Sequence, residues 1–388
     1  MRIAEISAFQ DYSVGKIMNA LAEGFQRCGI ETNVYYFRDK SKNDSIYCGN
    51  EFFVDLNALS ARIFDNDGFC GKKLTRNLVK ELEAFKPDIV HIHCLHGYWC
   101  NCNELWAYFH RHNHVKIIWT MHDNWAFTGH CCYASFRDCN KWIYGCSKCP
   151  EKKEYPTSDF FDFSKKNYIK KRKLFTSLEK NRIIIISPSN WMDSLVTKSF
   201  LDIYRHSIIF NGIDTSIFFD NGERRERIIL SVASVWDSRK NLDDVLALSK
   251  KIEGWKFIVI GKIPRAVNKT CYPNVTFISR TKNQKELVKF YNSSQFLFNP
   301  TKSDNLPTVN IEAQLCGLNV ITYPTGGTKN TDCGKIIYVQ SISEITESFL
   351  DKATRQHRPI LKDSYYLFSN EHMVDQYGYQ VKRLLYEK

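Results

Sequence analysis

The sequence predicts an α/β protein built from two doubly wound parallel sheets, each covered by helices on both faces. Two observations carry this reading: strand-length apolar runs alternate with helical patterns, and the alternation begins a second series after residue 211. The first unit is a strand, a glycine turn and a helix. Arg2 to Ser7 is a short apolar run, Gln10 to Gly15 is a polar turn, and Ile17, Leu21 and Phe25 recur at helical spacing. Cys28-Gly29 puts a glycine where a left-handed cap is wanted, and Thr32 to Phe37 alternates like the next strand. A helix over Lys80 to Phe85 ends at Lys86-Pro87-Asp88, and Ile89 to Ile92, Val115 to Thr120 and Arg182 to Ser187 read as buried strands. The second series follows the turn Asn211-Gly212-Ile213-Asp214. Its strands are Ile228 to Ala233, Lys256 to Ile260, Val275 to Ile278, Phe296 to Asn299 and Asn319 to Thr322, with helical patterns such as Leu242 to Lys251 and Gln284 to Asn292 between them. From Ser364 to Lys388 the spacing of Tyr365, Phe368, Met373, Tyr377, Val381 and Leu384 fits one or two amphipathic helices. The domains are therefore 1–208, 209–363 and a helical tail at 364–388. No long Pro/Gly/Ser linker and no solenoid repeat is present, so the two domains are expected to meet at a cleft, and sheets of this kind bind ligands beyond the carboxyl ends of their strands.

Composition narrows the function classes. The 388 residues, with 43% apolar and 25% charged side chains, exclude disorder and fibrous architectures. No run approaches the ~18 consecutive apolar residues that a membrane span requires. The start, Met1 to Ile6, holds Glu5 inside its first apolar run and has no small-residue cleavage site, so it does not read as a secretory signal. A cytoplasmic location with reduced thiols is expected for the fourteen cysteines. A net charge of +12 attracts polyanions, and Asn140 to Arg182 carries twelve Lys or Arg against five Asp or Glu, so the field is local.

Five segments can carry chemistry. Ser13-Val14-Gly15-Lys16 opens a helix whose free N–H groups suit a phosphate or sugar oxygen, although one glycine matches neither the dinucleotide fingerprint nor the P-loop and also suits an ordinary tight turn. Trp119-Thr120-Met121-His122-Asp123 runs a strand into a histidine and a carboxylate, a pair that can meet a sugar hydroxyl or a developing charge, or else simply cap a helix. His91, His93 and His96 line the same edge. Their spacing invites a metal reading, which the burial expected for His91 and His93 on one strand face disfavours.

Cys131, Cys139, Cys146 and Cys149 form a C-x7-C-x6-C-x2-C pattern beside His130 and Cys132. It fits a closed structural zinc site with no catalytic role, with two disulfides or four buried thiols as the other readings. The stretch from Ser164 to Phe175 interleaves aromatic and aliphatic residues with lysines, as on a helix lying against an anionic bilayer; the plain alternative is a solvated face with Tyr168, Phe175 and Leu178 packed inward. In the second domain, Trp236-Asp237-Ser238-Arg239-Lys240-Asn241 places cations at a helix start. Asp304 and Glu312 lie eight apart around Asn305, Thr308 and Val309, and Gly326-Gly327 follows the next strand. Carboxylates for hydroxyls, with a cation and backbone amides for a diphosphate, suit a nucleotide-sugar.

With these residues in view, the chain resembles the retaining GT-B glycosyltransferases of the family 4 type, and among them bacterial enzymes of capsule, exopolysaccharide and O-antigen synthesis. The likeness covers nearly the whole length. It is most specific in HIHCLHGYW from His91 to Trp99, WTMHDNWAFTGHC from Trp119 to Cys131 and NPTKSDNLPTVNIEAQLCG from Asn299 to Gly317. It implies two Rossmann-like domains facing each other across a cleft, the first binding acceptor and the second the nucleotide-sugar, with the C-terminal helix crossing back to the first. On the resemblance, Gly15 and Lys16 approach the donor phosphate and His122 lies near the transferred sugar. Lys240 and Arg239 bind the diphosphate, and Glu312 holds the ribose as the second acid of the family's E-x7-E motif. Asp304 stands where a glutamate is usual. Asn305, Thr308, Val309, Gly326 and Gly327 complete the donor side, and His96, Asp123 and Trp125 belong to the acceptor side. Two departures are visible: the family's arginine is Ser234 here, with Arg239 placed to compensate, and the glycine after the lysine is Asn241.

The expected chemistry needs no catalytic cofactor or metal. Lys240 and turn amides stabilise the leaving diphosphate, the acceptor attacks from the leaving-group side, and the diphosphate takes the proton. The expected partners are a UDP- or GDP-sugar and a glycan, free or carried on a polyprenyl diphosphate. An anionic membrane surface is a further partner, met peripherally on the inner face of the plasma membrane; no nucleic acid is expected. The rival is a non-catalytic, zinc-organised, polyanion-binding scaffold on the same frame.

Overall fold

The computed structural model describes residues 1–39, 45–356 and 358–387. The expected tail includes residue 388 and the expected second domain includes residue 357, and both residues lie outside the described ones. The chain divides into two compact units. One holds Met1–Phe210 with Met373–Lys388, and the other holds Asn211–His372.

In the first unit the strands are β1 (Arg2–Ile6), β2 (Glu31–Tyr36), β3 (Ile46–Tyr47), β4 (Ile89–Ile92), β5 (Lys116–Thr120), β6 (Ile183–Ser187) and β7 (Arg205–Ile208). They pair in the order β3-β2-β1-β4-β5-β6-β7, every pair parallel. The central four are apolar enough to be buried on both faces. Sequence reasoning passes over β3 and β7 because they are short edge strands: β3 spans two residues, and β7 mixes Arg205 and His206 with Ser207 and Ile208.

Residues alternate between the two faces of this sheet. Ala4, Ile6, Val90, Ile92, Ile117 and Trp119 pack into one core, while Ile3, Ile89, Ile118 and Ile184 pack into another. The second core is completed by the helix Asn370–Tyr386, which buries Met373, Val374, Tyr377, Val381 and Leu384, a helical stripe of spacing 1, 3, 4 and 3. The tail thus does return to the first unit. It does so from Met373 onward, whereas the short helix Ser364–Leu367 stays with the second unit, where Ser369 bridges to Ile213.

The second unit contains β8 (Ile228–Val235), β9 (Lys256–Lys262), β10 (Val275–Ile278), β11 (Phe296–Asn299), β12 (Asn319–Thr322) and β13 (Ile336–Tyr338), in the parallel order β10-β9-β8-β11-β12-β13. In both sheets the first strand laid down pairs with the fourth. That reversal is the point at which doubly wound sheets open a crevice beyond their strand ends.

Because Met373 is 1% exposed in the second core, replacing it with alanine leaves a cavity as well as lost burial. Met373→Ala is expected to lower the unfolding free energy of the protein by about 2–5 kcal/mol, measured by urea titration. Tyr379→Ala, on the same helix but 56% exposed, should stay within about 0.5 kcal/mol of the parent.

Candidate active site

The residues singled out in the second unit collect where β8 pairs with β11. After β8, Trp236 is buried with its indole N–H on the Ile260 carbonyl (3.0 Å), and Asp237 turns the chain by accepting from the backbone N–H groups of Arg239 (3.0 Å) and Lys240 (3.1 Å). Asn241 then adopts a left-handed conformation, φ 58°, before the helix Leu242–Lys251. Asparagine is among the few residues besides glycine that occupy this region readily. The departure from the family glycine therefore preserves the turn, and the Asn241 amide donates to Asp244 (2.6 Å).

Three strand-end loops are tied together at this place. Lys302 N–H, after β11, donates to the Arg239 carbonyl (2.8 Å); Thr325 Oγ1, after β12, donates to the Thr301 carbonyl (2.6 Å); and Gly327 N–H donates to the Asp304 carbonyl (2.9 Å). Gly326 has φ 53°, and a Cβ there would sit 2.3 Å from the Asp304 carbonyl oxygen, so only glycine lets the loop close on Asp304. At the centre Lys240 Nζ forms an ion pair with the Asp304 carboxylate, with side chains 24% and 20% exposed. This pairing is not visible in sequence order, which separates the two residues by 64 positions. Arg239 is engaged by Asp237 at 2.5 Å, and Ser234 is exposed. Asn305 is buried, Thr308 and Val309 open the helix Thr308–Leu315, and Glu312 on that helix accepts from the buried Tyr291 hydroxyl (2.9 Å).

In the first unit Gly15 lies in the first turn of the helix Tyr12–Arg27, with Lys16 exposed. A Cβ on Gly15 would come within 1.9 Å of the Gln10 carbonyl oxygen, so the close approach of its own loop already requires glycine there. His122 follows β5 and stands half-buried. Its Nε2 is 2.9 Å from Nδ1 of His93, whose Nε2 is in turn 2.8 Å from the carboxylate of Glu5. Glu5 is fully buried on β1 and also holds Nδ1 of His91, at 2.9 Å. Sequence reasoning reads Glu5 only as a mark against a signal peptide. A carboxylate inside a buried parallel strand, in register with a histidine on the neighbouring strand, is the clue it leaves unused.

Burial pushes the Glu5 carboxyl toward its neutral form, but the hydrogen bonds and charges of His91 and His93 outweigh it and bring the value down to about 2. Burial and the neighbouring His91 lower His93 to about 4, and burial with the surrounding histidines takes His122 well below its usual value. His96, beyond β4, has the opposite balance. Its Nε2 is 2.7 Å from Asp123, which together with Cys94 raises it well above the ordinary histidine range despite burial. Asp123 also accepts from Trp125 N–H (2.8 Å), and the Tyr155 hydroxyl sits 3.2 Å from Nδ1 of His96. The structure thus brings His96, Asp123 and Trp125 together, and adds Tyr155 to them.

Among the described residues, two triads have donor atoms within 4.8 Å of one another: Glu5 with His91 and His93, and Cys94 with His96 and Asp123. In the first, both nitrogens of each ring already have protein partners. The thiols of Cys131, Cys139, Cys146 and Cys149 do not form such a set. Cys131 and Cys149 are in hydrogen-bond contact and Cys146 Sγ accepts from Gly129 N–H (3.1 Å), but the four are not gathered into the tetrahedron that their spacing suggests, and no disulfide joins them. The segment is fastened by other means: His130 to Asp65, Asn167 to the Asp65 carbonyl (2.5 Å), and Lys171 to the Trp125 carbonyl (2.7 Å).

Lys171 lies on the basic helix Ser164–Phe175, 1% exposed and 3.3 Å above the Trp125 ring, with burial lowering its ammonium to about 8. Lys170 covers Phe69, and Tyr168 and Phe175 also point inward. This helix therefore spends part of its charge on packing, and only Lys165, Lys166, Arg172 and Lys173 of its cations are exposed.

Depressed values on buried groups make stability depend on pH. His93 remains neutral in the fold down to about 4, whereas an unfolded histidine protonates near 6.5, so stability present above pH 6.5 is lost as pH falls through that interval. The loss from His93 is on the order of 3 kcal/mol at ~1.4 kcal/mol per unit. His122 acts in the same direction, and Glu5 adds to it below 4.5. His96, raised above 6.5, is protonated in both states below that pH and contributes no slope there. Urea midpoints should therefore decline steadily from pH 6.5 to 4, and His93→Gln should make the decline shallower. Equal slopes in the two proteins would refute the assignment.

Comparison with known proteins places this geometry. The model for Glycosyltransferase Family 4 matches residues 14–217, and that for glycosyl transferases group 1 matches residues 214–334. A relative from Escherichia coli (strain K12), provisionally named colanic acid biosynthesis glycosyl transferase WcaC, is 29% identical over 280 residues; the match covers 67% of this chain and 65% of that protein, slightly under two thirds of its length. Among solved structures, sucrose-phosphate synthase from Thermosynechococcus elongatus has a TM-score of 0.70 at 14% identity over 100% of both chains. Anabaena HepE, solved in complex with UDP-glucose, has 0.63 at 12% identity over 98% of this chain and 99% of its own. WaaG, a glycosyltransferase involved in lipopolysaccharide biosynthesis, has 0.60 at 14% identity over 100% of both. At these identities the structural likeness speaks for the fold, and the family model speaks for descent: the chain belongs to glycosyltransferase family 4 and has the GT-B fold.

Proposed function

We propose that the protein is a retaining glycosyltransferase that moves a sugar from a nucleotide-sugar to a glycan acceptor carried on a polyprenyl diphosphate, in the synthesis of a bacterial exopolysaccharide. Family membership supports transfer over the scaffold reading. The WcaC relative supports the polysaccharide context, and HepE, solved with UDP-glucose, supports a nucleotide-sugar donor. The observation that carries the reading is the Lys240–Asp304 pair at the strand reversal of the second sheet, enclosed by three mutually bonded loops.

Breaking the bond between sugar and phosphate places negative charge on the leaving diphosphate. A lysine aimed at that charge, in a site shielded from water, stabilises the transition state more than the ground state. Lys240 is paired with Asp304. A donor diphosphate, with more charge than a single carboxylate, would draw the ammonium away and free Asp304 to meet a sugar hydroxyl or the developing positive charge at the anomeric carbon. Glu312, which accepts from the Tyr291 hydroxyl, would meet the ribose hydroxyls. The acceptor hydroxyl attacks on the leaving-group face and its proton passes to a diphosphate oxygen, so that no protein base and no metal is needed. Contact with the inner face of the plasma membrane would use Lys165, Lys166, Arg172 and Lys173 around the exposed Ile169, next to a surface pocket of about 520 Å³ that these residues line with Tyr144 and Tyr168, Lys166 excepted.

A thermal-shift screen with UDP-, GDP-, ADP- and dTDP-sugars, with and without chelator, tests the donor. One nucleotide-sugar should raise the melting temperature in both conditions, and a panel without any shift would sink the reading. With the donor in hand, Lys240→Ala should reduce kcat by about 10²–10³-fold. Wild-type turnover in that variant would remove Lys240 from the mechanism. The anomeric configuration of the product, read by proton NMR, decides retention against inversion.

A further inference from the structure

The residues around His122 form one continuous hydrogen-bonded chain: His122, His93, Glu5, His91, Thr120 and Tyr377. The distances are 2.9 Å from His122 Nε2 to His93 Nδ1, 2.8 Å from His93 Nε2 to Glu5, 2.9 Å from Glu5 to His91 Nδ1, 2.8 Å from His91 Nε2 to Thr120 Oγ1 and 2.8 Å from Thr120 Oγ1 to the Tyr377 hydroxyl. It links β1, β4 and β5 to the C-terminal helix. Apart from His122 the chain is buried.

We infer that Glu5 is a positioning residue which, acting through His93, fixes His122 as the Nε2–H tautomer and so turns an unprotonated Nδ1 toward a hydroxyl of the sugar substrate. The inference rests on the transferase reading only for the identity of that hydroxyl. The proton positions follow from the chain itself. An ionised carboxylate has no hydrogen to give, so both imidazoles facing Glu5 must donate to it. A neutral imidazole has a single N–H. His93, having spent its hydrogen at Nε2, offers a lone pair at Nδ1, and the hydrogen in its bond to His122 must come from Nε2 of His122. Neutral His122 then has no hydrogen left for Nδ1, and among the described residues no protein group bonds that atom. On the other arm His91 donates at Nδ1 to Glu5, and its Nε2 lies 2.8 Å from Thr120 Oγ1, itself 2.8 Å from the Tyr377 hydroxyl. Every donor between His122 and Glu5 points toward the one carboxylate.

The charges facing His122 favour this arrangement. From β1 comes Glu5, held ionised by its two donors; from β4 come His91 and His93, the latter kept neutral by burial; from the turn after β4 comes His96, whose raised value reflects its pairing with Asp123. His91, His93 and His96 each disfavour a cation on His122. Tyr377, the group that the C-terminal helix contributes, is held protonated by burial.

The test is long-range proton–nitrogen NMR of protein labelled with ¹⁵N-histidine, with His122 assigned by the signals lost in His122→Gln. At pH 7 His122 should show a protonated Nε2 and an unprotonated Nδ1, unchanged at pH 5.5. A cationic His122, or one protonated at Nδ1, overturns the inference in the wild-type protein, without any variant. Glu5→Gln brings an amide N–H into the chain. If it folds, His122 should shift wholly or partly to the Nδ1–H tautomer, and kcat/KM should fall by about tenfold, the equivalent of one hydrogen bond. A tautomer unchanged in Glu5→Gln also overturns it. Thr120→Val, which cuts the other arm, should leave the His122 tautomer in place. Because the spectrum is taken without substrate, a failed donor screen would not alter this result, and a wrong tautomer would leave the transferase reading standing.

Discussion

Both sheets depend on one constraint of chain tracing: after two strands laid to one side of the first, the fourth returns to pair with the first on its other side. The connections that leave those two neighbouring strands diverge, and their carboxyl ends stay uncovered by either helix layer. A loop that follows a strand at this place must satisfy its own backbone, and it does so with the loops beside it. In the second unit the chain after β8, β11 and β12 is closed by Lys302 on Arg239, Thr325 on Thr301 and Gly327 on Asp304, so Lys240 and Asp304 are presented by a rigid frame. In the first unit β1 and β4 bring Glu5 opposite His91, and the polar side chains follow from that register.

The fold is legible in the sequence wherever a strand is buried on both faces. Such strands are continuous apolar runs, and Ile89–Ile92, Phe296–Asn299 and Asn319–Thr322 have the bounds expected of them. The edge strands Ile46–Tyr47, Arg205–Ile208 and Ile336–Tyr338 are not legible, since an edge needs only partial burial and tolerates charge. For the site, residue types at strand ends are readable while their partners are not. Nothing in the order of residues tells that Lys240 is neutralised by Asp304, or that Lys171, one of a run of surface-like cations, turns inward onto Trp125. The meaning of Asn241 also appears only with its backbone angle, because a left-handed turn makes asparagine a sufficient substitute for glycine.

Glu5 shows why a buried charge escapes a reading based on hydrophobic pattern. On the face covered by the C-terminal helix, each of three adjacent strands begins apolar and ends polar: Ile3 then Glu5, Ile89 then His91, Ile118 then Thr120. Taken one strand at a time, a single polar residue in an apolar run looks like noise. Taken across the register, Glu5 pairs with His91 and Ile118 lies opposite His91, with Thr120 further along β5, so the polar side chains run diagonally across the three strands. An isolated carboxylate in such a place would lose several kcal/mol of hydration and would take up a proton instead. Two imidazole donors compensate for that loss, and those imidazoles need acceptors or donors of their own, which His122, Thr120 and Tyr377 provide.

The need for complete satisfaction also gives the C-terminal helix a role beyond covering apolar surface. Met373, Val374, Val381 and Leu384 bury area without direction, and any apolar helix of similar shape could replace them. Tyr377 is different, because its hydroxyl forms the hydrogen bond that ends the chain at Thr120 (2.8 Å). Without it Thr120 would keep a buried oxygen one partner short, a penalty of about 1–3 kcal/mol, and the register of the helix on the sheet would lose one of its polar ties, leaving Gln380 on Ser207 (3.3 Å). The helix is thus located by polar contacts and bound by apolar ones. The residue that makes the polar contact necessary is the same carboxylate that orients His122.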